Sequence, residues 1–251
     1  MLNVLLIALY VGGATMLGGA TGYFIKYQNE KTDGAVFSFA AGVMLAAAFS
    51  ELILPETENN GSFLFYFCLL GLIAGGGAIH GMQGLLRIIQ AKYPGAQIAA
   101  AFQRPGMQSA LLFIIALAVH NLPEGIAAGV SLGSGDLARA FTVASGIALQ
   151  NVPEGMIVLP PLIHAGVPRK KAFAVSVMTG LVEMVGVFLG YFAASVSEKV
   201  LPVVMCFAGG TMLYIICTDV MADANRMAGK RLAGYCLLLG CAVMLIMKRY
   251  I

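Results

Sequence analysis

Apolar blocks of about twenty residues recur along this chain. A helix of that length, rising about 1.5 Å per residue, matches the roughly 30 Å thickness of a bilayer's hydrocarbon core. Eight such blocks fall near residues 2–25, 34–55, 63–88, 108–132, 137–163, 170–195, 200–222 and 231–249. They are continuous, without the alternation of a half-solvated helix or strand. Of the 251 residues, 59% are hydrophobic and 11% charged, against about 45–50% and about 25% in soluble domains, so a water-soluble fold could not cover its own surface. The links are too short to hold a soluble domain. The expectation is one all-α polytopic transmembrane domain over residues 1–251 with eight spanning helices. The first block lacks a basic segment ahead of it and outlasts a signal-peptide core, so it reads as an uncleaved spanning helix.

Lysine and arginine are retained on the cytoplasmic side of a membrane. The odd-numbered links and adjoining helix ends hold 11 of the 15 basic residues, from Lys26 and Lys31 to Arg226, Lys230 and Arg231, whereas the even-numbered links and the C-terminal end hold Arg139, Lys199, Lys248 and Arg249. Both termini are therefore expected outside, in a multi-pass protein of the plasma membrane (a bacterial inner membrane). A net charge of +3 is explained by this bias, so the bilayer is the expected partner and nucleic acid is not. The five cysteines lie in apolar stretches without CxxC spacing and read as small buried hydrophobes.

One short repeat carries chemistry. Leu117-Ala-Val-His120-Asn121-Leu-Pro123-Glu124-Gly125 in the fourth block is matched by Ile147-Ala-Leu-Gln150-Asn151-Val-Pro153-Glu154-Gly155 in the fifth. In each copy the first polar residue and the glutamate are spaced i, i+4 and share a helix face. His120 with Glu124, and Gln150 with Glu154, can each grip one ion. The prolines break main-chain bonding in mid-helix, which lipid tolerates where the helix lines a protein cavity or an ion path. Helices four and five, joined by a very short link, must run antiparallel, so the two motifs meet at one depth. Glu183 sits at the centre of the sixth block and Met44 at the centre of the second.

Each charged residue at the bilayer centre costs about 2.5–3.5 kcal/mol on insertion scales. Three glutamates without an intramembrane lysine or arginine therefore call for a bound cation. Mixed His, Glu, Asn, Gln and Met ligands suit Zn²⁺ better than Mg²⁺ or Ca²⁺. Glu124 and Glu154 can bridge, which leaves room for two metals. Glu51 lies toward the outer end of the second block, where it could attract cations. His164 and Asp219 lie toward the inner side, where they could receive a departing ion. His80, with no acidic neighbour in sequence, reads as an interhelical hydrogen-bonder among small residues suited to close helix packing or dimerisation.

At these residues the chain resembles the ZIP (Zrt/Irt-like protein) family of metal-ion transporters, particularly its bacterial zinc-importing and GufA-like branches. The resemblance covers nearly the whole chain and is carried by His120-Asn121-x-Pro123-Glu124-Gly125 and Asn151-x-Pro153-Glu154-Gly155. It implies a pseudo-symmetric 3+2+3 arrangement of eight helices, import into the cytoplasm and a homodimer. It also implies a binuclear centre, with one metal on Met44, His120, Glu124, Gln150 and Glu154 and the other on Asn121, Glu124, Asn151, Glu154 and Glu183. Many relatives carry histidine at Gln150 and some aspartate at Asn151, so ligand strength and negative charge are lower here. The expected function is alternating-access transport of divalent transition-metal ions, zinc first and Cd²⁺, Fe²⁺ or Mn²⁺ also possible, with the metal as cargo. The rival readings are a metal-selective channel and, less favoured, an intramembrane metalloenzyme. The latter has no HExxH, and four or five protein ligands leave an ion little room for a reacting water.

Overall fold

The computed structural model describes residues 1–25, 29–58, 62–92, 106–133, 135 and 137–250. Every regular element among them is helical: α1 (Leu2–Phe24), α2 (Glu30–Ala47), α3 (Leu54–Glu58), α4 (Ser62–Lys92), α5 (Met107–Gly133), α6 (Leu137–Ile157), α7 (Leu159–His164), α8 (Arg169–Phe192), α9 (Ala194–Ile215), α10 (Met221–Ala228) and α11 (Lys230–Tyr250). Two π-helical turns, Ala48–Ile53 and Ile216–Val220, join α2 to α3 and α9 to α10 into continuous rods.

Most of the expected blocks follow their helices closely, but the second and seventh rods extend beyond theirs. The second begins at Glu30, where the Asn29 side chain accepts a hydrogen bond from the Lys31 N–H at 3.0 Å, and where Glu30 and Asp33 suit the positive end of the helix. The seventh starts at Ala194, so the expected link at 197–199 is already helical, and it runs to Ala228. Gly229, at φ +80°, then turns the chain into α11.

Among the described residues seven helices or rods are long and apolar enough to cross a membrane. The expected span at 137–163 is not one of them. It is helical but interrupted at Val158, and Gln150, Asn151, Pro153 and Glu154 lower its hydropathy. The residues that give this segment its chemistry are those that hide it as a span.

The helices pack in two sets. α1 lies on α6 and α8, and α5 on α8; α4 lies on α9, and α2 on α11. The two sets meet where α5 touches α9 and α2 touches α6. At four of these interfaces a reciprocal pair of glycines crosses: Gly18 with Gly155, Gly125 with Gly186, Gly42 with Gly240, and Gly75 with Gly210. In every pair a Cβ on either glycine would run into the main-chain carbonyl three residues before the other. Such crossings let backbones approach closely, which in lipid replaces the missing hydrophobic drive for association.

The crossings expose an internal repeat that periodicity had not suggested. Gly18 and Gly186, and Gly42 and Gly210, stand as far apart in sequence as Thr15 and Glu183, 168 positions. At that offset Phe39-Ala-Ala-Gly42-Val-Met44-Leu45 lies over Phe207-Ala-Gly-Gly210-Thr-Met212-Leu213, and Ser50-Glu51 over Thr218-Asp219. The π turns coincide as well.

Candidate metal centre

The two Pro-Glu-Gly motifs lie on α5 and α6, which run through Pro123 and Pro153 without ending. Gly155 packs against the Thr15 carbonyl of α1 and Gly125 against the Glu183 carbonyl of α8, so both motif helices are clamped at the depth of their glutamates. Here the ligand side chains converge. His120 Nε2 lies 3.2 Å from Glu124 Oε1 and 3.2 Å from Glu154 Oε1. Ligand atoms of His120, Glu124 and Glu154 all fall within 4.8 Å of one another, which makes them the one such buried group among the described residues. Gln150 Nε2 donates to Glu124 Oε1, closing the ring across the two helices.

Glu183 forms the second half of the cluster. Asn151 donates to its Oε1, and the Thr15 hydroxyl donates to its Oε2 at 2.8 Å. Thr15 was not anticipated; it sits on α1 at the position equivalent to Glu183, so the repeat was the signal that could have found it. Met44 is buried on α2, the element that packs against α6.

The cluster is sealed and incompletely satisfied. His120, Asn121, Glu124, Gln150, Asn151, Glu154 and Glu183 are each at most 1% exposed. Among the described residues eight buried side-chain polar atoms lack a hydrogen-bond partner, and all but Asp33 Oδ2 belong to His120, Asn121, Glu124, Gln150, Asn151 and Glu154. A buried polar atom left unpaired costs about 1–3 kcal/mol, so this concentration marks a place built for something other than internal hydrogen bonding. Lone pairs on imidazole, carboxylate and amide oxygen are what a borderline divalent ion would take.

The residues assigned to a path are not gathered in one place. His164 and Asp219 both line a cavity of about 330 Å³ beside α7 and α10, with Phe37, Phe113, Asp223 and Arg226 also in its wall. His164 Nε2 stands 3.4 Å from Asp33 Oδ2, and Asp33, 3% exposed, is a second residue the sequence reading passed over. Gln83 Nε2 donates to Asp219 Oδ2 at 3.4 Å. Glu51 lies at the opposite end of the α2 rod, 3.0 Å from the Lys248 ammonium. His80 bonds the Tyr214 hydroxyl at 3.0 Å, between α4 and α9, as the interhelical reading expected. The five cysteines are free.

The family profile described as ZIP Zinc transporter matches residues 95–248, which include both motifs and Glu183. The chain belongs to the ZIP family. It is 31% identical to the zinc transporter ZIPB of Bordetella bronchiseptica over 250 residues, covering 93% of this chain and 76% of that one. It is 29% identical to the zinc transporter ZupT of Chlorobium luteolum over 96% of this chain and 94% of that one. With the zinc transporter GufA of Myxococcus xanthus it shares 35% identity over 139 residues, 55% of each chain. The relatives carry the names of transporters, not of enzymes, and seven bilayer-length apolar helices in a ZIP chain make this a multi-pass membrane protein.

Proposed function

We propose that this ZIP protein imports zinc across a bacterial plasma membrane. The observation that carries the reading is the concentration of unpartnered buried polar atoms at His120, Asn121, Glu124, Gln150, Asn151 and Glu154, in a family whose members here are named zinc transporters. The cargo is a divalent transition-metal ion, zinc first, with Cd²⁺, Fe²⁺ and Mn²⁺ as further candidates. The centre holds two ions. Met44, His120, Glu124, Gln150 and Glu154 take one; Asn121, Glu124, Asn151, Glu154 and Glu183 take the other.

Eight helices span the bilayer in this reading, the eighth being the α6–α7 segment, with both termini outside and the cavity at His164 and Asp219 facing the cytoplasm. Supporting it, α1, α5, α6 and α8 pack mainly with one another and meet the α2, α4, α9 and α11 set at fewer contacts. The first set carries all the proposed ligands but Met44 and moves against the second, exposing the centre to each side in turn. The protein works as a homodimer.

Proteoliposomes loaded with a zinc-sensitive dye test the proposal. Uptake should saturate with external zinc and fall to the protein-free rate in Glu124→Ala and in Glu154→Ala. Wild-type flux in both variants would end the reading, and flux linear into the millimolar range would convert the carrier into a channel.

A further inference from the structure

The π turn Ala48–Ile53 leaves its own chain short of a donor. The Leu54 N–H reaches back five residues to the Phe49 carbonyl, as a π turn requires. By the same count the Ser50 carbonyl would need an N–H from residue 55, which is Pro55 and has none. That carbonyl is instead capped from another helix, by the Lys248 ammonium of α11. The same ammonium pairs with Glu51 Oε1 at 3.0 Å, and the Ser50 hydroxyl donates to that oxygen at 3.3 Å. A main-chain carbonyl and a carboxylate converge here on one cation supplied by the protein itself.

This pair lies close to the centre. Glu51 lies seven residues, or two helical turns, beyond Met44 on α2, about 10 Å along the axis. Its other oxygen, Oε2, lies 3.8 Å from where a Cβ on Gly146 would stand, and Gly146 precedes Gln150 by one turn on α6. Both Glu51 and Lys248 are partly exposed, at 27% and 40%.

We propose that Glu51 and the Ser50 carbonyl form the docking site for the divalent ion at the outer mouth, and that Lys248 occupies it as a tethered competitor which the incoming metal displaces. This rests on the import reading, which puts the C-terminal end of α11 outside. The ligand class is a hard-to-borderline divalent cation held by oxygen donors. Lys248 thereby sets the external metal concentration at which loading begins, and it keeps Glu51 from standing as an uncompensated charge between turnovers.

Zinc uptake into proteoliposomes, measured against external zinc, separates the two claims. Lys248→Gln should lower the apparent KM about tenfold, the effect of about 1.4 kcal/mol of competition removed, with a smaller change in maximal rate. Lys248→Arg, which keeps a cation, should not lower it. Glu51→Gln, with Lys248 intact, should raise the KM at least about threefold, and adding it to Lys248→Gln should cancel the gain. An unchanged or higher KM in Lys248→Gln overturns the inference; if that variant does not fold, an unchanged KM in Glu51→Gln overturns it alone. Failure of the wild type to take up zinc, or insensitivity to Glu124→Ala, strikes the import reading instead.

Discussion

The two π turns are built alike and charged differently. Each follows a Gly-x-Met-Leu segment, at Gly42 and Gly210, and each presents a hydroxyl followed by an acid, Ser50-Glu51 and Thr218-Asp219. In each the hydroxyl donates to the acid, Thr218 to Asp219 at 2.7 Å and Ser50 to Glu51 at 3.3 Å. In each a long side chain from the neighbouring helix reaches the carboxylate, from a position eight residues past the crossing glycine. After Gly240 that residue is Lys248, and after Gly75 it is Gln83. The amide leaves Asp219 negative beside the cavity, while the ammonium cancels Glu51. A nearly symmetric backbone thus ends in one carboxylate paired with an ammonium and one whose long-chain partner is a neutral amide.

If the backbone symmetry is real in energy as well as in shape, Gly42→Ala and Gly210→Ala should damage the fold alike. Each Cβ meets a main-chain carbonyl, of Leu237 and of Leu72, which cannot swing aside as a side chain can. Each should cost about 1–3 kcal/mol by overpacking, seen as a matched fall in thermal unfolding temperature in detergent; a loss in only one would break the equivalence.

Gln83→Lys tests the charge difference by giving Asp219 the kind of neighbour that Glu51 has in Lys248. A fixed ammonium beside Asp219 should slow release and cut the maximal zinc uptake rate about fivefold, near 1 kcal/mol, with little change in KM. The opposite pattern, a KM change at constant rate, would mean that Asp219 helps to load the ion and not to release it.

The methionines ask whether the symmetry extends to ligation. Met44→Leu should raise the KM for zinc about threefold, a modest loss expected of one soft ligand among several. Met212→Leu, nearly isosteric in an equally buried place, should leave the KM unmoved. Equal effects would place both thioethers at the metal. The smallest change belongs to Gly77→Ala on α4, where an added Cβ meets nothing within 4 Å; thermal unfolding of the detergent-solubilised protein should barely shift.

Much of the centre was legible because its residues break the rules of their solvent. Glutamates, an imidazole and amides inside apolar blocks stand out, and the i, i+4 spacing of His120 with Glu124 puts them on one face before any tertiary contact is known. The segment 137–163 was expected to span because it reads as an apolar run of bilayer length, whereas Gln150, Asn151 and Glu154 lower its hydropathy enough to keep it out of the seven candidate spans among the described residues. What stayed hidden was whatever depends on a neighbour. Thr15 is an ordinary helix residue until α1 crosses α8. Lys248 reads as a membrane-end lysine until α11 is laid against the π turn. The π turns carry no composition signal of their own, although Pro55 removes a donor that an unbroken ladder would need.

By itself the sequence determined the solvent, the helical class, the two matched motifs and the kind of ion they suit, because burial of charge in hydrocarbon is costly enough to be read from composition and spacing alone. Only the tertiary structure decided which carboxylates share the centre, which are held by Thr15, Gln83 or Lys248, and which face the cavity. Those choices are fixed by where glycine crossings let helices approach, and that register is a property of pairs of helices.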